Sequence, residues 1–310
     1  MHISFLKTTA LGFMASCALL LSGCGKGADD AAKPEVVIPD SPDTAVQTII
    51  SEFANGNSGI AWRALPASYQ SDVNELVHLF GSSADEEVYD KSFSLFARLA
   101  EVIDQQKSFI VNSSLLQGRS ADELAKLEAA LPSIVGFVST ITSSELSSIN
   151  GLLNFDGQAF FDTTVSECVE HLEAIGQLTG DEIKLADYTS TVVSVVDSDG
   201  QQTRLSIAVP GQLAQEVVFA KVEERWVPLE MKSNWDTKVK EMNASIKSMP
   251  AEDFEAQKIQ IMGALTMFDG LLTKIASAET QEQFDQSLQE TAMPLMSIFM
   301  MLNQASQGVK

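Results

Sequence analysis

Val192-Val193-Ser194-Val195-Val196, then Asp197-Ser198-Asp199-Gly200, then Thr203-Arg204-Leu205-Ser206-Ile207-Ala208-Val209 stand almost end to end in the chain. The first segment is rich in β-branched side chains and the second is a turn cluster. In the third, Thr203, Leu205, Ile207 and Val209 alternate with Arg204, Ser206 and Ala208, the two-residue period of a strand with one buried face. Pro210-Gly211 marks another turn, and residues 216–222 and 225–231 continue the pattern around a bend at Glu223-Glu224. These segments predict a small antiparallel meander between about residues 184 and 231. An apolar sheet face needs a cover. On both sides of the meander apolar residues recur every three or four positions, so the cover is helical and the class is α+β, helix-rich.

Upstream, Ser41-Pro42 predicts a helix start with proline at its first position, and Val46, Ile49, Ile50 and Phe53 fall on one face up to a stop near Asn55-Gly56. A short helical stretch follows from Ile60, and Pro66 opens a third helix carrying Val73, Leu76, Val77 and Phe80. Ser83-Ala84-Asp85-Glu86 has the spacing of a capping box before the apolar face Tyr89, Phe93, Phe96, Ala100 and Ile103. Ser120-Ala121-Asp122-Glu123 repeats it ahead of Leu124, Leu127, Leu131, Ile134, Val138 and Ile141. Pro132 inside that run allows a kink or two abutting helices. A further helix is predicted over about 158–178.

Downstream of Trp235, the positions Phe254, Lys258, Ile261, Leu265, Phe268, Leu272 and Ile275 form a helical stripe whose single polar interruption is Lys258. Thr280-Gln281-Glu282-Gln283 caps a last helix with Phe284, Leu288, Leu295, Ile298 and Leu302, and the short connector predicts a C-terminal helical hairpin. The expected organisation is a leader (1–23), a modified N-terminus and flexible tether (24–42), a helical body ending in the sheet (43–231), and C-terminal helices packed on that body (232–310).

The leader reads as a signal peptide. A basic Lys7 precedes an apolar stretch over residues 10–21, too short for a bilayer span and ending in small residues. Leu21-Ser22-Gly23-Cys24 resembles the bacterial lipobox, in which a diacylglyceryl group joins the cysteine thiol and the chain is cut before it. What the resemblance implies is a lipoprotein of the cell envelope, anchored to a membrane through lipid on Cys24. Gly25 follows the cysteine in place of the Asp that resembles an inner-membrane retention signal, so the implied destination is the outer membrane, facing the periplasm.

Removing residues 1–23 takes away Lys7 alone among charged residues, so 19 of the 20 basic side chains remain against 42 acidic ones. Such a balance excludes nucleic acid as a partner, since binding it requires neutralised phosphates. Lipid on Cys24 leaves Cys168 without a disulfide partner, and Cys168 is expected to be buried and inert. No cofactor is called for. The long helices leave room for a protein partner or for self-association.

Two stretches also resemble nuclear transport factor 2-like domains. Asp43-Thr44-Ala45-Val46, the turn Asn55-Gly56-Asn57 and Ile60-Ala61-Trp62 are similar to the helical start of that family, and Lys221-Val222-Glu223-Glu224-Arg225-Trp226-Val227-Pro228 to its final strands. The resemblance implies a cone-shaped fold with residues 82–180 as an insertion, and the family holds both enzymes and binding modules.

Candidate chemistry is sparse. Glu167 and His171, four apart on a predicted helix, place a carboxylate and an imidazole on one face as a possible metal pair, the alternative being an acidic face with Cys168 packed inward. Met293, Met296 and Met300, with Met301, gather thioethers suited to Cu(I), although the same residues interleave with Leu295, Ile298, Phe299 and Leu302 as core filler. There is no G-x-S-x-G elbow, H-E-x-x-H pair, P-loop or G-x-G-x-x-G, and His78 lies among apolar residues as a structural group. The sequence therefore points to a non-catalytic binding or scaffolding module, with an envelope enzyme or small-ligand carrier using a pocket between sheet and helices as the alternative.

Overall fold

Four strands fall where the alternation places them: β1 (Val192–Ser198), β2 (Gln202–Ala208), β3 (Gln215–Val222) and β4 (Arg225–Pro228) form one antiparallel sheet in that order. The computed structural model that shows this describes residues 36–179, 185–249 and 254–291. Leu205 lies between Val195 and Val217, and Thr203 between Ser198 and Phe219, so the alternation of β2 fixes the register across the first three strands. Helix α1 (Pro42–Ala54) covers the apolar face, packing Val46 and Ile50 on Leu205, Ile207 and Phe219. Its Gln47 Oε1 also accepts from the Val193 backbone N–H at 3.0 Å. Together with a register shift between Val195 and Asp197, that bond blunts the open edge of β1.

The last strand is shorter than the pattern suggests. It ends at Pro228, and a helix begins at Leu229, because proline has no N–H for the ladder and its fixed φ suits a helix entry. The bend before it carries a second function. Glu223, with φ of 52°, sends its carboxylate to the N–H groups of Ala67 (2.7 Å) and Ser68 (3.3 Å), two of the unpaired donors that open the third helix.

The remaining helices are α2 (Gly59–Arg63), α3 (Ala67–Ser83), α4 (Glu86–Gln105), α5 (Lys107–Val111), α6 (Ala121–Thr142), α7 (Ile149–Leu153), α8 (Gly157–Phe160), α9 (Ser166–Thr179), α10 (Leu185–Tyr188), α11 (Leu229–Lys247), α12 (Phe254–Ala276) and α13 over residues 281–291. Ser120 and Glu123 make the reciprocal capping box, and Pro132 sits inside an unbroken α6. At α4 the cap is Asp85, which accepts from Val88 N at 3.0 Å, whereas Ser83 closes α3 and bonds back to Leu79 O. The helix expected over 158–178 starts at Gly157 and passes through a π-helical turn, Phe161–Val165, before α9. Ser41 turns its hydroxyl to Asp43 instead of capping α1.

The largest core gathers Trp62, Leu65, Tyr69, Leu146, Ile149, Leu152, Phe155, Phe160, Phe161, Val165 and Trp235 from α2, α3, α7, α8, the π turn and α11. Tyr69 and Trp235 stack at 3.9 Å between ring centroids, and the indole N–H of Trp235 reaches Asp72 at 2.7 Å. A smaller cluster joins Leu95 and Val102 of α4 to Leu272 of α12. By length and composition α6 and residues 257–276 could each cross a membrane, yet here α6 packs on α4 and α9, and α12 on α4.

Helices α12 and α13, joined across Ser277-Ala278-Glu279-Thr280, form the C-terminal hairpin, with Lys274 paired to Glu290. Lys258 meets Asp85, Asp269 meets Arg98, and Ala276 meets Gln106, at separations of 173, 171 and 170 residues. A near-constant offset means that α12 runs parallel to α4.

Candidate functional site

The α9 residues singled out in the sequence lie against α6. Glu167 accepts from Thr140 Oγ1 at 3.2 Å, and the His171 ring packs on Gly136, so closely that an added Cβ there would fall 2.3 Å from the ring. Both side chains thus serve helix packing. Among the described residues no third His, Cys, Asp or Glu joins them as a possible metal ligand. Cys168, between them, is buried, and burial followed by the nearby Glu167 charge pushes its thiol pKa up to about 11. Because thiolate is the reactive form, native protein at pH 8 is expected to resist iodoacetamide and to become alkylated once denatured. Mass spectrometry of the peptide containing Cys168 checks this, and rapid native labelling would contradict it.

His78 is half-buried with Nε2 2.9 Å from Phe155 O, a bond that fastens α3 to the loop before α8. Cys24, Met293, Met296 and Met300 lie outside the described residues.

Sequence spacing did not reveal one concavity of the surface. An open cleft of about 670 Å³ between α4 and α12 is lined by Asp85, Glu86, Glu87, Asp90, Lys91, Ser94 and Lys258. The N-cap of α4 supplies Asp85 and its first turn Glu86 and Glu87, where they complement the helix dipole. Lys258 reaches out of the apolar stripe of α12 to Asp85 and Glu87, each at 2.9 Å. The hydrogen bonds it donates to those carboxylates, Asp85 first, hold its ammonium pKa well above the ordinary lysine value. For Asp85, burial works upward, but the bond from Lys258 and the Val88 N–H bring the net shift below the usual carboxylate range.

Farther along the seam, Lys91 lies 3.0 Å from Asp269, and Arg98 bonds the same carboxylate and, at 2.6 Å, Thr273. These bonds, that from Lys91 foremost, lower the Asp269 pKa. Asp90 accepts from Ile149 N at 3.0 Å, and the Ser94 hydroxyl donates to Lys91 O. Both lysines of the cleft are therefore committed to joining α4 and α12. The arrangement binds helix to helix, and it sets no serine hydroxyl against a base.

Sequence reading had flagged Lys258 as a polar break in an apolar stripe, and Asp85, Glu86, Glu87 and Asp90 as carboxylates at a helix start. The pairing of Lys258 with Asp85 and Glu87, some 170 residues away, could not be read from local spacing. No family model matches the chain, and no curated protein or solved structure matches it.

Proposed function

We propose that this protein is an envelope lipoprotein, held on the outer membrane through lipid on Cys24 and presenting a non-catalytic binding or scaffolding body to the periplasm. The observation that carries the reading is Leu21-Ser22-Gly23-Cys24 placed directly after the apolar stretch of residues 10–21. At about 0.8 kcal/mol per buried methylene, two or three acyl chains on one cysteine give attachment that outlasts the marginal hold of a single myristoyl chain. Residues 25–41, with Pro34 and Pro39, separate that cysteine from α1, and fully extended they reach at most about 60 Å. The body can stand clear of the headgroups.

Packing favours a surface binder over a carrier with an enclosed ligand. The space between α1 and the sheet is filled by Val46, Ile50, Leu205, Ile207 and Phe219, and the cleft between α4 and α12 is open and lined by charged residues and one serine. Expression with its leader in a two-membrane bacterium is expected to place the chain in the outer-membrane fraction, with acyl chains on Cys24 by mass spectrometry. Cys24→Ser is expected to abolish the acyl mass and the processed N-terminus. An unmodified thiol at Cys24, or a leader still attached in the unaltered chain, would overturn the proposal.

A further inference from the structure

The interface between α12 and α4 differs from the main core in composition. Among the described residues its buried apolar cluster is Leu95, Val102 and Leu272, flanked by the partly buried Leu99, Leu265, Phe268 and Ile275. Around them run Lys258 to Asp85 and Glu87, and Lys91 and Arg98 to Asp269. At the far end, Gln106 donates to Ala276 O at 2.8 Å and Ala278 O at 3.2 Å. A small apolar patch framed by charge is the composition of a reversible interface, not of an obligate core.

We propose that the face of α4 bearing Lys91, Leu95, Arg98, Leu99 and Val102 is a helix-receiving groove. The chain's own α12 fills it, and an amphipathic helix of a partner protein displaces α12 by presenting the same pattern. α12 itself defines what fits: apolar side chains spaced as Leu265, Phe268, Leu272 and Ile275, with a carboxylate at the place of Asp269 to meet the Lys91 and Arg98 cations. An internal helix competes at high effective concentration, so the groove stays closed until a partner helix is present or the seam weakens. The inference rests on the binding-module reading but not on the anchor, so unlipidated chain serves for the test and its failure is separate from failure of lipidation.

The probe is a labelled peptide of residues 254–276, titrated into the full chain and into the full chain carrying Asp269→Asn. The variant's internal helix has lost its carboxylate while the peptide retains it, so the variant is expected to bind the peptide at least about tenfold more tightly than the unaltered chain. A peptide with Asp269→Asn is expected to lose that advantage. In hydrogen exchange, the variant should lose protection over residues 254–276 and keep it over residues 202–222 of the sheet. Equal affinity for both chains, no binding to either, or equal loss of protection in sheet and hairpin would overturn the proposal.

Discussion

Phe160→Ala is expected to lower the free energy of unfolding by about 3–5 kcal/mol, the range found when a fully buried phenylalanine is cut to a methyl group and its cavity only partly collapses. Phe160 is 2% exposed and meets Phe155 and Phe161 at centroid distances of 5.5 and 5.6 Å. The core cluster it belongs to draws on several elements far apart in sequence, among them those carrying Trp62 and Trp235. Collapse around the cavity is therefore resisted from several sides, which places the cost in the upper part of that range. Urea unfolding checks it: the midpoint should fall with an unchanged m-value. A loss below about 1 kcal/mol would mean that the cluster around Phe160 is not the core on which the helices depend.

That core also marks where sequence reading stopped. β2 was legible because Leu205 and Ile207 alternate with Arg204 and Ser206, and a one-residue slip would turn every apolar side chain outward. The start of α6 was legible because a capping box is completed within four residues, Ser120 to Glu123. Asp85 was harder to place. Ser83 offers the same spacing, and the choice went to Asp85 because α3 continues through Ser83. Residues 143–157 carried the least local signal, and they supply Leu146, Ile149, Leu152 and Phe155 to the largest core. Elements of three to five residues there are too short for helical periodicity and are held by tertiary packing.

The candidate site followed the same rule. Lys258 stood out as a charge within an apolar stripe, a local contradiction of the kind that often marks an interface. Its resolution required Asp85 and Glu87, brought near by the parallel approach of α12 and α4. Glu167 and His171 stood out through spacing alone. Spacing on one helix cannot supply the third ligand, and the pair proves to serve the contact of α9 with α6.

Two glycine-to-alanine changes should have opposite signs, and the contrast tests how tightly the short elements of the core pack. A Cβ on Gly151 would fall 1.6 Å from Glu145 O, 2.3 Å from Glu145 C and 2.6 Å from Glu145 Cα, all backbone atoms. No side-chain rotation relieves such a clash, so α7 must separate from the turn Glu145–Ser147, which pulls apart the buried Leu146, Ile149 and Leu152. Overpacking ordinarily costs about 1–3 kcal/mol, and an obstacle made of backbone puts Gly151→Ala at or above the top of that range. Gly263, inside α12, has no atom of the described residues within 4 Å of the same added carbon. There alanine only removes the helix penalty of glycine, for an expected gain of about 0.5–1 kcal/mol. Thermal unfolding of both variants decides the matter: a Gly151→Ala protein as stable as the unaltered chain would require α7 and the 145–147 turn to be farther apart than 1.6 Å contact geometry allows.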